Sequence, residues 1–243
     1  MKTEIIAEIG QNHNGDMALA EDLIRAAKVA GANVAKFQVY DARALFPPKE
    51  QNPWFDYNCA TELKKHDVFR LAELCSRIDI EFMASVFDLE RIQWLEEAGV
   101  KRYKIASRSI SDDVLISAVA ATGKPMIVSL GAWARPGLPR IAAPGRVDFL
   151  HCISKYPAPL QELRLAEVDF TKLSGFSDHS VGTSAACASF VLGARILEKH
   201  LTMDPSAYGP DHACSMTPAD LSAIDRFRND WAMVQTGATS RGS

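Results

Sequence analysis

Eight short, apolar, β-branched runs recur along the chain, and most are followed by a stretch with helical periodicity. No single motif constrains the fold as much as this alternation, because strands separated by helices pair in parallel. The runs fall at residues 5–9, 33–39, 80–86, 102–106, 125–130, 147–152, 173–177 and 195–201. Helices are predicted at 18–30, 61–78, 89–98, 111–121, 183–192 and 218–231, with Thr61 as an N-cap. Gly31, Gly99 and Gly123 stand where three of them should stop.

Both an open doubly wound sheet and a closed barrel satisfy that pattern. The count of eight and the polar residues at the carboxyl end of nearly every strand favour the barrel, whose loops converge on one site. An open sheet would concentrate them at a switch point instead. The expected architecture is therefore a single-domain (β/α)8 TIM barrel over residues 1–235, with 236–243 as a flexible tail. Two segments break the rhythm. Three prolines between Gly131 and Gly145 argue against a helix after the fifth strand, and residues 46–57, with PPKEQNPW, read as a long ordered loop.

Composition narrows the function classes. The 243 residues carry 27 Lys and Arg against 30 Asp and Glu, a net charge of −3, without a long run of one sign. A basic nucleic-acid surface is unsupported. The apolar runs fall short of the roughly 18 residues a membrane helix needs, and Glu4 and Glu8 interrupt any signal-peptide core. Five cysteines without a CxxC pair suggest reduced thiols in a cytoplasmic protein.

The chemistry-bearing residues sit at strand ends: Glu8, Lys36 and Gln38, Ser85, Lys104 and Ser107, Ser129, His151, Ser177 to His179, and Glu198 to His200. Alternate residues of a strand share a face, so Lys36/Gln38 and Glu198/His200 can each enter one cavity. Two lysines with several serines suit a phosphate-like dianion. Two histidines beside carboxylates, His179 and His200, suit a divalent metal with open coordination positions. Each has a plainer reading: a strand lysine is often a snorkelling side chain, and a lone histidine is usually structural. His66 reads as a solvated helix face, and Cys152 and Cys187 as small buried residues. Pattern alone leads to a barrel enzyme for a phosphorylated substrate, with or without a metal.

Longer motifs say more. Glu8-Ile9-Gly10-Gln11-Asn12-His13-Asn14-Gly15, followed by Lys36-Phe37-Gln38, resembles the opening of the sialic acid synthase family, N-acetylneuraminate synthase and its relatives. The similarity continues through Ser85-Val86-Phe87-Asp88, Tyr103 to Ser107, Leu150-His151-Cys152 and Tyr156-Pro157. It ends with Gly175 to Ser180, Glu198 to Thr202, and Gly209-Pro210-Asp211-His212 with Ser215.

That resemblance implies condensation of phosphoenolpyruvate with the open-chain aldehyde of an N-acyl amino sugar such as N-acetylmannosamine. It implies Mn²⁺ or Mg²⁺ on His179 and His200. Lys36, Lys104, Ser85, Ser107, Ser129 and Ser177 would grip phosphate and carboxylate, and Gln38 would orient the substrates. Glu8 would bond the aldehyde or the new hydroxyl, while Glu198 and Asp211 would order a metal water or the sugar. The implied partners are these small molecules, with no nucleic acid, no membrane, and a homodimer as one expectation.

Four departures from the family pattern bear on the acceptor or anion pocket. The usual C-terminal capping domain is expected to be missing. Arg164-Leu165 replaces Asn-Leu after the Tyr-Pro motif, which would remove a phosphate-pocket contact. Arg108 stands where glycine is usual, and the Pro-rich loop replaces a helix. Two other readings therefore stay open. One is a deoxy-keto-acid phosphate synthase or lyase, with Arg108 or Arg164 taking an extra phosphate; the other is a non-catalytic sugar- or anion-binding module.

Overall fold

The computed structural model describes residues 3–236. Eight strands close into a parallel barrel in which each pairs with its sequence neighbours and the eighth returns to the first. They are β1 (Glu4–Gly10), β2 (Val34–Val39), β3 (Glu81–Val86), β4 (Tyr103–Ile105), β5 (Met126–Ser129), β6 (Val147–Cys152), β7 (Gly175–Asp178) and β8 (Ile196–His200). The sequence expectation of a (β/α)8 barrel is met, with strand limits shifted by a residue or two.

Alternation along the strands sorts side chains between two cores. Outward residues such as Ile5, Ala35, Phe37, Ala84 and Leu197 pack under the helices as one large apolar cluster. Inward, Ile6, Val34, Met83, Ile127, Leu150 and Ile196 form a second cluster that plugs the barrel toward its amino-terminal end. Two residues further along the same strands the inward positions turn polar: Glu8, Lys36, Ser85, Ser129 and Glu198. A dry plug beneath a polar layer leaves the carboxyl-terminal mouth as the place for chemistry.

The helices are α1 (Met17–Val29), α2 (Ala42–Leu45), α3 (Phe55–Ala60), α4 (Lys65–Arg77), α5 (Leu89–Glu97), α6 (Asp113–Ala121), α7 (Ser184–Val191) and α8 (Pro218–Thr236). α1 starts where the Asp16 carboxylate accepts from the Ala18 and Leu19 amides, and it buries Ala20, Leu23, Ile24 and Ala27. The continuous helix predicted over 61–78 is corrected. Thr61 closes α3, its buried hydroxyl donating to the Tyr57 carbonyl at 2.8 Å. α4 begins only after the Asp67 carboxylate accepts from the Lys64 amide at 2.9 Å. A threonine hydroxyl bonds a preceding carbonyl as readily as it caps a following turn, so its identity alone did not separate the two. The predicted loop at 46–57 likewise gives way to α3 from Phe55 onward.

The Pro-rich segment after β5 carries no helix, as its prolines predict, and β6 is followed only by short 3₁₀ turns at Leu160–Glu162 and Leu165–Glu167. Of the tail predicted at 236–243, Thr236 ends α8, and the rest lies outside the described residues.

Candidate active site

Strand register builds the site. Glu8 lies opposite Lys36 on one side and His200 on the other. Gln38 is paired with Ser85, Ser85 with Lys104, and Ser177 with Glu198. Pairing between β1 and β2 slips between Glu8 and Gly10, and Gly10 takes φ of +54°. A Cβ there would stand 3.2 Å from Gln38 Nε2 and 3.3 Å from Glu8 Oε1. Glycine therefore lets the backbone turn directly against the polar layer.

The layer is a buried charge network. Lys36 Nζ lies 2.7 Å from Glu8 Oε2, 3.4 Å from Glu198 Oε2 and 3.1 Å from Ser85 Oγ. Lys104 Nζ donates to Ser129 Oγ at 2.7 Å and approaches Glu198 Oε1 at 3.5 Å. Ser177 donates to Glu198 at 2.8 Å, and Gln38 Nε2 donates to Glu8 at 3.1 Å.

Environment separates the two carboxylates. Burial, opposed by Lys36, raises Glu8 above its ordinary value. Burial acts on Glu198 too, but the ammonium groups of Lys104 and Lys36 outweigh it and hold that carboxyl low. Glu198 is thus the fixed anion and Glu8 the group able to hold a proton. Lys104, with fewer carboxylate contacts, is lowered by desolvation. An incoming dianion would restore the stabilisation it lacks.

Above the layer stand the imidazoles. The rings of His179 and His200 are 5.7 Å apart, and Tyr156 packs over both, at 4.1 Å and 5.9 Å. His179 Nδ1 bonds the Ile153 carbonyl at 2.8 Å, so it carries a hydrogen, and in the neutral ring Nε2 is the nitrogen with the lone pair. His200 Nδ1 is buried without a hydrogen-bond partner, 3.9 Å from Asp211 Oδ2. Burial and the neighbouring His179 push His200 well down, which keeps it neutral. Burial lowers His179 too, but the contacts with Cys152 and the Ile153 carbonyl outweigh it and raise this ring, so a cation there would compete with a proton. Each ring still has one nitrogen left over, which suits a divalent cation. No cluster of three or more His, Cys, Asp or Glu among the described residues could hold one. An ion on this pair would complete its coordination with oxygen from water or substrate.

Two connected cavities share Gln38, Ala106, Ser107, Tyr156 and His200. The inner one, about 50 Å³, is lined by eleven of the twelve residues singled out from sequence: Glu8, Lys36, Gln38, Ser85, Lys104, Ser107, Ser129, Ser177, His179, Glu198 and His200. Asp211 lines the outer cavity of about 440 Å³, beside Phe46, Trp54 and Arg108. Burial raises Asp211 to about 6.

Other strand-end residues turn away. His151 stacks on Phe176 at 5.8 Å and bonds the Leu163 carbonyl, outside the barrel. Lys199 pairs with Asp178 at 2.9 Å on the outer face. Arg164 is exposed and paired with Glu167 at 2.7 Å, along a separate cavity on the barrel's flank. It adds no contact in the anion pocket, so the expectation that Arg164 could take an extra phosphate there is corrected.

The pocket residues given no role from sequence include Cys152, Tyr156 and Ser154. Cys152 shares the inward parity of Leu150 and lies 3.8 Å from His179 Nδ1; that parity could have found it. Tyr156 was visible only as part of a motif. Ser154 was hidden, because it reaches the site across the barrel rim: a Cβ on Gly131 would collide with its hydroxyl.

A closed (β/α)8 barrel with a buried two-lysine pocket beneath paired imidazoles is the framework of a barrel enzyme for small anionic substrates. Within that class the chain belongs to the NeuB family, whose model matches residues 23–238. It is 34% identical to the N,N'-diacetyllegionaminic acid synthase of Legionella pneumophila, over 90% of this chain and 69% of that one. It is 31% identical to human N-acetylneuraminate-9-phosphate synthase, over 91% and 68% respectively. The structure of the N-acetylneuraminic acid synthetase of Leptospira borgpetersenii, solved with citrate, superposes with a TM-score of 0.89. That likeness covers 100% of this chain and 88% of the other at 29% identity. The resemblance read from the motifs is thereby borne out. Among the described residues no helix is long and apolar enough to cross a membrane.

Proposed function

We propose that this chain condenses phosphoenolpyruvate with the aldehyde of an N-acyl amino sugar, giving a 2-keto-3-deoxy sugar acid and inorganic phosphate. The observation that carries the reading is the pair Lys36 and Lys104, buried in one polar layer and opening through Gln38 and Ser107 into a second, sugar-sized cavity. An anion bound to the lysines would hold its reactive end toward the acceptor.

Lys36 and Lys104, with Ser85, Ser107, Ser129 and Ser177, bind the phosphate and carboxylate through charge-assisted hydrogen bonds. Gln38, fixed by Glu8, orients the acceptor where the cavities meet. Carbon 3 of phosphoenolpyruvate forms the new bond to the aldehyde carbon, and the aldehyde oxygen takes the proton that a raised Glu8 carboxyl can hold. Water adds at carbon 2 and returns a proton to Glu8. The C–O bond then breaks, the ketone forms, and phosphate leaves with the remaining hydroxyl proton. Mn²⁺ or Mg²⁺ held by His179 and His200 would supply Lewis-acid polarisation of the aldehyde. Holding both substrates in one dry pocket provides proximity and preorganised charge.

The test mixes the protein with phosphoenolpyruvate, Mn²⁺ and a panel of aldoses including N-acetylmannosamine, and follows phosphate release with and without EDTA. Metal-dependent release that requires an N-acyl amino sugar supports the reading. Sugar binding without any phosphate release would overturn it in favour of a binding module.

A further inference from the structure

The outer cavity holds one arginine or lysine, and the anion layer below does not use it. Arg108 follows Ser107 at the end of β4 and reaches over the Phe46 ring, its guanidinium carbon 5.0 Å from the ring centre. Its Nη2 donates to the Leu45 carbonyl at 3.3 Å. That stacking and that bond hold the planar group against one wall while the rest of its edge faces the cavity. Among the described residues no carboxylate lies within ion-pairing distance of it. The other cations of the two connected cavities are paired, Lys36 with Glu8 and Glu198 and Lys104 near Glu198, while Arg164, on the flank, is paired with Glu167.

We infer that Arg108 is a specificity-determining residue that recognises an oxyanion, a phosphate monoester in particular, on the acceptor sugar at the end remote from its aldehyde. This inference rests on the proposed condensation and names the acceptor class for it. The aldehyde must sit near Tyr156 and His200, where the two cavities join. The remote end of an extended sugar then lies in the outer cavity with Arg108. An arginine held flat on an aromatic ring presents a fork of N–H donors that matches phosphate in two-point contact. Arg108 is exposed at the cavity mouth, and an uncharged acceptor filling the cavity would take water from the guanidinium without giving it a counter-charge. Arg164, the other cation that could have taken such a group, faces a different cavity.

The experiment compares N-acetylmannosamine with its 6-phosphate as acceptors, reading kcat/KM for the wild type, Arg108→Ala, Arg108→Lys and the control Arg164→Ala. A charged two-point contact is worth roughly 1.5–3 kcal/mol, a factor of about 10 to 100. The wild type should prefer the phosphate by about that factor, expressed mainly in KM. Arg108→Ala should bring the ratio toward one, Arg108→Lys should fall between, and Arg164→Ala should keep the wild-type ratio. An unchanged ratio in Arg108→Ala, or equal use of both sugars by the wild type, overturns the inference. Calorimetric binding of the sugar phosphate to wild type and Arg108→Ala is measured in parallel. Should neither acceptor release phosphate, the condensation reading fails on its own; binding weakened about ten-fold or more in Arg108→Ala would still support the role of Arg108, and equal binding would remove it.

Discussion

Lys36 Nζ and Glu8 Oε2 lie 2.7 Å apart inside the barrel, on adjacent strands that place the two residues side by side, with both side chains almost fully buried. The ammonium also faces Glu198 at 3.4 Å, so one cation is shared by two carboxylates. The arrangement serves binding more than stability, because a buried ion pair barely recovers its own desolvation cost.

Replacing Lys36 with Met should therefore cost more than the net worth of the pair. Two buried carboxylates would lose their shared cation, a defect of about 3–5 kcal/mol unless Glu8 takes up a proton. Urea denaturation should show that loss at neutral pH and a smaller one in mild acid, where Glu8 can protonate. Phosphate release should fall to background. Unchanged stability together with retained turnover would remove Lys36 from the anion pocket.

His179→Ala and His200→Ala should each abolish the EDTA-sensitive part of turnover while the circular dichroism of the barrel is preserved. Direct Mn²⁺ binding, followed by electron paramagnetic resonance, should weaken on loss of either imidazole by at least the roughly 10–100-fold that loss of an outer-shell partner costs. Wild-type Mn²⁺ affinity in either variant would refute the assignment of the pair as metal ligands.

Gly10→Ala is the smallest change that should reach the site. Alanine at φ +54° is strained by about 1–2 kcal/mol. Its Cβ would also push on Gln38 and Glu8, at 3.2 Å and 3.3 Å. The variant should fold with a lower Tm and lose roughly ten-fold or more in kcat/KM, because displacing a positioning group is costly. A variant with reduced Tm but full activity would separate the turn from the chemistry.

His13 should make stability depend on pH in a defined window. Its ring is buried, Nδ1 accepts from the Gly15 amide at 3.2 Å, and Nε2 has no partner. Burial lowers its pKa from 6.5 to about 4. The folded pKa lies below the unfolded one, so the unfolded chain binds the proton first as pH falls. Stability is undiminished above about 6.5 and drops as pH falls toward about 4, by up to roughly 3 kcal/mol, then levels off. His13→Gln should flatten that part of the profile relative to wild type in urea titrations at successive pH values. An identical slope in both proteins would show that other groups carry it.

The sequence by itself determined the barrel and most of the site. Eight β-branched runs, most followed by a helical stretch, admit few folds, and alternation along a strand decides which residues turn inward, so the sequence alone places Lys36 with Gln38 and Glu198 with His200. What remained hidden depends on pairing between segments distant in the chain. Thr61 can begin one helix or end another, and only its contacts with Gln11 and Tyr40 accompany the outcome. Arg108 and Arg164 look equivalent as text, yet stacking on Phe46 puts one in the acceptor cavity while pairing with Glu167 keeps the other on the flank. Ser154 reaches the mouth only because Gly131, on the neighbouring loop, has no Cβ to obstruct it. Local propensity and periodicity act over a few residues; the reach of a loop side chain across a barrel rim is set by the closed tertiary structure alone.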